Sequence, residues 1–225
     1  MAKLFLSRHI KSVWNTENRF TGWVDVPLDK HEFGRAKQLA EKIFCHRIDT
    51  IYSSNLFRNE DTIERILEHV GDKYPIFIPL DRGKMKQWEK YVDISKNDVP
   101  VFVTERLNER YYGKLQGENK EGVMKKFGKN VVRLWRRSYE VAPPGGESLH
   151  DVETRIMPFF RKYVERDLRT NKNVLVVGSH NPLRAIVRYL EKIPPADIIN
   201  LEIPYGGLIE YDLDTLLRVV KKHVY

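Results

Sequence analysis

The stretch Lys3-Leu4-Phe5-Leu6-Ser7-Arg8-His9 is a short apolar run that ends on a guanidinium and an imidazole. Residues 3 to 7 have the length and composition of a strand buried on both faces. A second run, Ile48-Asp-Thr-Ile-Tyr-Ser53, follows downstream and ends in Ser54-Asn55. Between the two, Ala36, Leu39, Ala40, Ile43 and Phe44 recur at i, i+3, i+4, i+7 and i+8. That spacing lays an apolar stripe along one helix face and leaves Arg35, Lys37, Gln38, Glu41 and Lys42 mostly to solvent.

The alternation continues outward. The sequence predicts a helix over about 56–70, a strand at Pro75–Ile78, a long helix over about 147–169, a strand at Asn173–Gly178 and a helix over about 182–192. Such a succession argues an α/β fold of three layers, with a mainly parallel central sheet and helices on both faces. Gly207–Asp212 and Leu217–Lys221, joined around Asp214-Thr215, read as a terminal hairpin at the sheet edge. Residues 80–104 are less regular and include the polar run Lys84–Lys90. They read as an excursion from the sheet, either a flap over a site or a surface insertion without a part in the chemistry.

With 225 residues, 41% hydrophobic and 11% aromatic, the chain can bury one large core, which excludes a wholly disordered or collagen-like polymer. The single Cys45 excludes an internal disulfide or a Cys-rich metal site and fits a reducing, cytoplasmic setting. The apolar start is too short for a signal peptide, and no run approaches the roughly 20 apolar residues that span a bilayer. Lys and Arg number 39 against 31 Asp and Glu, a net charge of +8 that points to an anionic partner. Nucleic acid, a membrane surface and a phosphorylated metabolite all satisfy that. The basic residues are scattered with acidic ones between them, unlike the single run or tail of a nucleic-acid arm.

Two histidines stand directly after strands, His9 after residues 3–7 and His180 after residues 173–178. In a parallel sheet the ligand crevice lies outside the carboxyl ends of the strands, so both imidazoles are expected at one site. Arg8 precedes the first, Arg58 follows the second strand, and Asn181-Pro182 reads as a helix start whose free N–H groups favour an anion. Imidazoles among guanidiniums describe a phosphoryl site, since the guanidinium fork matches phosphate oxygens and an imidazole nitrogen can attack phosphorus. Nothing resembles the HExxH or CxxC spacing of a metal site.

Leu6-Ser-Arg-His9, Ser12-Val-Trp-Asn15, Asn18-Arg-Phe-Thr-Gly-Trp23, Leu107-Asn-Glu-Arg-Tyr-Tyr-Gly113, Trp135-Arg-Arg-Ser-Tyr139, Gly146-Glu-Ser-Leu149 and Ser179-His180 occur in this order. Together they resemble the cofactor-dependent phosphoglycerate mutase family of the histidine phosphatase superfamily, over most of the chain outside 80–104. The resemblance implies one domain over 1–225 with an insertion or cap at about 80–145. It implies that His9 becomes phosphorylated, that His180 steadies the transferring group, and that Arg8, Arg58 and Asn15 contact it. Glu109 would be the general acid and base. Thr21, Gly22, Arg110, Tyr112, Lys120, Arg136 and Arg137 would bind a small phosphorylated carboxylate, 3-phosphoglycerate or 2-phosphoglycerate, with 2,3-bisphosphoglycerate as phosphoryl primer and no metal.

The chain departs from the family pattern in two places. Ile10 and Lys11 stand where a glycine and an acidic residue are usual, and the His180-Asn181-Pro182 loop is one residue short, which leaves Asn181 to serve through its N–H and side chain. A phosphatase of the same superfamily and a non-catalytic polyanion-binding protein on the same scaffold are the alternatives, and the number of subunits stays open.

Overall fold

The computed structural model describes residues 1–81, 83 and 95–225. Seven strands form one sheet: β1 (Ala2–Arg8), β2 (Thr50–Ser53), β3 (Tyr74–Pro79), β4 (Asp98–Val103), β5 (Val174–Gly178), β6 (Leu208–Leu213) and β7 (Val219–Val224). Their spatial order is β3-β4-β2-β5-β1-β6-β7. Neighbours from β3 through β1 pair in parallel, while β6 runs antiparallel to both β1 and β7. The expected mainly parallel sheet and the terminal hairpin are both present.

The helices are α1 (Val13–Thr16), α2 (Arg35–Ile43), α3 (Phe57–Leu67), α4 (Lys120–Phe127), α5 (Lys129–Arg137), α6 (Leu149–Phe159), α7 (Arg166–Arg169) and α8 (His180–Glu191). Side chains alternate across the pleat, so the central strands supply two cores. Leu4, Leu6, Val174 and Val176 meet Val152, Ile156, Leu183 and Ile186 of α6 and α8 on one face. Phe5, Ile51, Val101 and Leu175 meet Leu39, Ile43, Ile63 and Ile66 of α2 and α3 on the other. The long helix expected over 147–169 is interrupted: Pro158 lies inside α6, and Phe160–Glu165 winds as a π-helix before α7. Proline removes a backbone donor and crowds the preceding turn, which shifts the hydrogen-bond register there.

One reading needs correction. Residues 98–103, taken as part of an irregular excursion, form β4, which lies between β3 and β2 inside the sheet. The polar run at 84–90 lies outside the described residues. Between β4 and α6 the chain builds α4 and α5 on a small separate cluster of Phe20, Leu115, Val123 and Val132. No described helix is long and apolar enough to cross a membrane.

Candidate active site

Register explains why the two histidines meet. Arg8 of β1 faces Gly178 of β5, so His9 and His180 leave the same edge of adjacent parallel strands. Arg58, in the first turn of α3, sends a guanidinium only 1% exposed toward the same edge. It donates to the carbonyls of Gly22 at 2.8 Å and Val24 at 3.1 Å. Burial draws Arg58 down to about 10, which still leaves it charged at neutral pH. Gly22 holds φ +56°, left-handed backbone that favours glycine, and a Cβ there would press on the Gln116 side chain.

The His9 ring is buried, and its Nδ1 lies 2.6 Å from the Ile10 carbonyl oxygen. A carbonyl can only accept, so Nδ1 carries the hydrogen and Nε2 keeps its lone pair. Burial, then the charges of Arg58 and Arg8, hold this imidazole well below its ordinary range, so it is neutral and nucleophilic at pH 7. Ile10, at the departure from the family pattern, does not take a positive φ. Its side chain joins the core, and its N–H donates to Thr62 Oγ1 at 3.1 Å. His180 is likewise buried and held well below the ordinary imidazole range, by desolvation first and then by Arg8 and Arg184.

Glu109 takes the place expected for an external anion. Helix α8 begins at His180 with Ser179 as its N-cap, two residues earlier than the Asn181-Pro182 start read from the sequence. Its first N–H groups point at the Glu109 carboxylate: His180 N donates to Oε2 at 3.0 Å and Asn181 N to Oε1 at 3.3 Å. Asn181 Nδ2 adds a bond of 2.7 Å and Arg110 N another of 2.7 Å. A helix N-terminus favours such a carboxylate through both its free donors and its dipole. The Glu109 backbone is fixed as well, its carbonyl accepting from Trp23 Nε1 at 2.5 Å.

The cavity over this edge is lined by Arg8, His9, Asn15, Thr21, Gly22, Arg58, Glu109, Tyr112, Lys120, Arg136, Arg137 and His180 among the expected residues. Asn15 Oδ1 accepts from Ser12 Oγ at 2.8 Å, and its Nδ2 donates to Thr21 Oγ1 at 3.3 Å, which ties both to the wall. Lys120, the first residue of α4, is pulled down to about 8 by burial and then by Arg136 and Arg8. Burial pushes the Tyr112 phenol up, and its ring packs on Phe20 with centroids 5.1 Å apart.

Arg110 and Asn181, expected at the substrate, are absent from the cavity wall and stand behind it. Fully buried Arg110 donates to the Trp135 carbonyl and, at 3.1 Å, to Asn181 Oδ1. Arg184, also fully buried, donates to the same Asn181 Oδ1 at 3.0 Å, to the Arg137 carbonyl at 2.7 Å and to the Ile198 carbonyl at 2.6 Å. These two guanidiniums satisfy carbonyls in the last turn of α5, which have no partner within the helix, and so hold Arg136 and Arg137 at the rim.

Sequence reasoning missed Arg19, Phe20, Glu202 and Tyr205 in the cavity wall. Arg19 and Phe20 lie inside the quoted motif Asn18–Trp23, so a signal existed. Glu202 and Tyr205 lie in Leu201–Gly206, another stretch that resembles the family, so a signal existed there too; they arrive on the loop before β6, whose return to the end of β1 the fold reveals. Tyr205 stacks under the Arg8 guanidinium, 3.7 Å from ring centroid to Cζ.

A family model described as the histidine phosphatase superfamily, branch 1, matches residues 4–93 and 90–223. A protein of Methanococcus vannielii is 45% identical over 215 residues, covering 95% of this chain and 92% of its own, and is named 2,3-bisphosphoglycerate-dependent phosphoglycerate mutase. A protein of Gloeothece citriformis with the same name is 39% identical over 231 residues, covering 100% and 99%. Among solved structures, a mycobacterial glucosyl-3-phosphoglycerate phosphatase superposes with a TM-score of 0.76 at 23% identity, covering 100% of this chain and 98% of its own, a likeness of fold. With matches of this identity and length, the chain belongs to the histidine phosphatase superfamily and, within it, to the family of these phosphoglycerate mutases.

Proposed function

We propose that this chain interconverts 3-phosphoglycerate and 2-phosphoglycerate by passing a phosphoryl group through His9. The observation that carries the reading is the His9 imidazole itself, buried and neutral, with Nδ1 committed to the Ile10 carbonyl and Nε2 left as the nucleophile between two guanidiniums. Relatives at 45% and 39% identity carry the mutase name.

Among the described residues, the six cations lining the cavity, Arg8, Arg19, Arg58, Lys120, Arg136 and Arg137, face only the carboxylates Glu109 and Glu202, a donor set suited to a small polyanion such as 2,3-bisphosphoglycerate. When bound, that primer supplies the phosphoryl group carried by His9. Arg8 and Arg58 spread positive field over the equatorial oxygens of the group in transfer, where charge develops, and the neutral His180 ring steadies it beside them. Lys120, Arg136 and Arg137 hold the carboxylate and the phosphate that stays. Glu109 takes the proton of the attacking hydroxyl as that oxygen bonds phosphorus and the His9 N–P bond breaks, and it returns the proton to the leaving oxygen in the reverse sense.

The test is direct. Incubation with 2,3-bisphosphoglycerate adds one phosphoryl mass to the protein, and the increment vanishes in His9→Ala. Equal labelling of both proteins would refute a His9 intermediate.

A further inference from the structure

Among the described residues, Glu202 is the one carboxylate in the cavity wall besides Glu109, and it has no part in the chemistry just described. Its carboxylate pairs with Arg137 Nη1 through Oε2. Its Oε1 lies 3.4 Å from His180 Nε2 and 3.7 Å from Arg8 Nη1. One half-exposed anion thus pairs with Arg137 and lies beside Arg8 and His180, three groups that face the incoming phosphate, from α5, β1 and α8.

The loop that carries it is tied down on its C-terminal side. The Ile203 carbonyl accepts from Arg8 Nη1 at 2.5 Å. Gly206 N donates to the His9 carbonyl at 3.0 Å, and Arg8 N donates to the Gly207 carbonyl at 2.9 Å. The backbone just after Glu202 is thus stitched to the end of β1, while the Glu202 side chain, 50% exposed, has solvent to turn into.

We propose that Glu202 is an internal competitor anion. It occupies the outer donors of the phosphate site in the free protein and is exchanged for an anionic oxygen of the ligand, so it sets how tightly phosphorylated carboxylates bind. The inference rests on the reading that this cavity receives a phosphoryl group. A like charge a few ångströms from a bound dianion costs on the order of tenfold in affinity at a half-exposed site. The built-in carboxylate also keeps Arg8 and Arg137 from trapping any small anion, which favours release of product over retention.

The experiment measures binding of inorganic phosphate by calorimetry to the parent chain, to Glu202→Gln and to Glu140→Gln. Glu140, 70% exposed, is outside the cavity wall and controls for loss of one negative charge from the whole molecule. Glu202→Gln is expected to bind phosphate about tenfold more tightly, with Glu140→Gln unchanged. In the same variant the KM for 3-phosphoglycerate falls and kcat does not rise. Phosphate binding that is unchanged or weaker in Glu202→Gln, or equally tightened in Glu140→Gln, overturns the proposal. Because phosphate affinity is read without turnover, tighter binding in a protein that fails to interconvert phosphoglycerates would refute the mutase reading alone.

Discussion

Lys120 shows how one residue links burial to pH dependence. Its ammonium sits at the first position of α4, where the helix dipole disfavours a cation. It is also desolvated and faced by Arg136 and Arg8, which bring it down to about 8. The sign follows: Lys120 is charged and attracts the ligand below about pH 8, and it becomes neutral above. Since kcat/KM reports the free enzyme, it should decline through a midpoint near 8 on the basic side. Lys120→Arg, which stays protonated there, should keep the profile level between about pH 7 and 9, below the range in which Arg58 titrates. A parent profile already level through pH 9 to 10 would contradict the assignment of this limb. No matching loss is expected on the acid side from His9, whose buried ring resists protonation well below its ordinary range.

At the scale of elements, the site depends on α5 and α8 being clamped together. Arg184 of α8 reaches the carbonyls of Arg137 and Ile198, and it shares Asn181 Oδ1 with Arg110. Arg184→Met keeps the buried volume but leaves the Arg137 carbonyl without a donor, while Asn181 Oδ1 keeps Arg110 and the Ile198 carbonyl keeps Leu201 N. An uncompensated buried acceptor costs about 1–3 kcal/mol, so a loss of that order is expected in urea unfolding. The KM for 3-phosphoglycerate should rise as well, because Arg137 loses its anchor. A variant of unchanged stability would show that the clamp does not hold the two helices.

The elements differ in how visible they are in sequence. β1, β5 and α2 declare themselves through unbroken apolar runs and 3.6-residue periodicity. β4 hides because Asn97-Asp98 opens it and Pro100 interrupts it, signals that ordinarily end a strand. α4 and α5 hide because each buries a single residue, Val123 and Val132, too few for a stripe.

Across the whole molecule, the net charge of +8 first suggested any of three anionic partners. The fold gathers six cations around one cavity beside a neutral imidazole pair, so part of that excess serves one local site. Strand-end position was enough to nominate His9 and His180, because a parallel sheet delivers successive strand ends to one edge. It could not say that Arg110 and Asn181 turn behind the wall, or that Glu202 turns into it. Those orientations are set by helix α8 closing on Glu109 and by the loop before β6 returning to β1, contacts between segments far apart in the chain.

The central claim is transfer between the two hydroxyl positions of phosphoglycerate. The most direct measurement follows 3-phosphoglycerate by phosphorus NMR in EDTA, with and without a trace of 2,3-bisphosphoglycerate. The account predicts that 2-phosphoglycerate builds up with the primer and far more slowly without it. Inorganic phosphate as the main product, with no 2-phosphoglycerate formed, would contradict it.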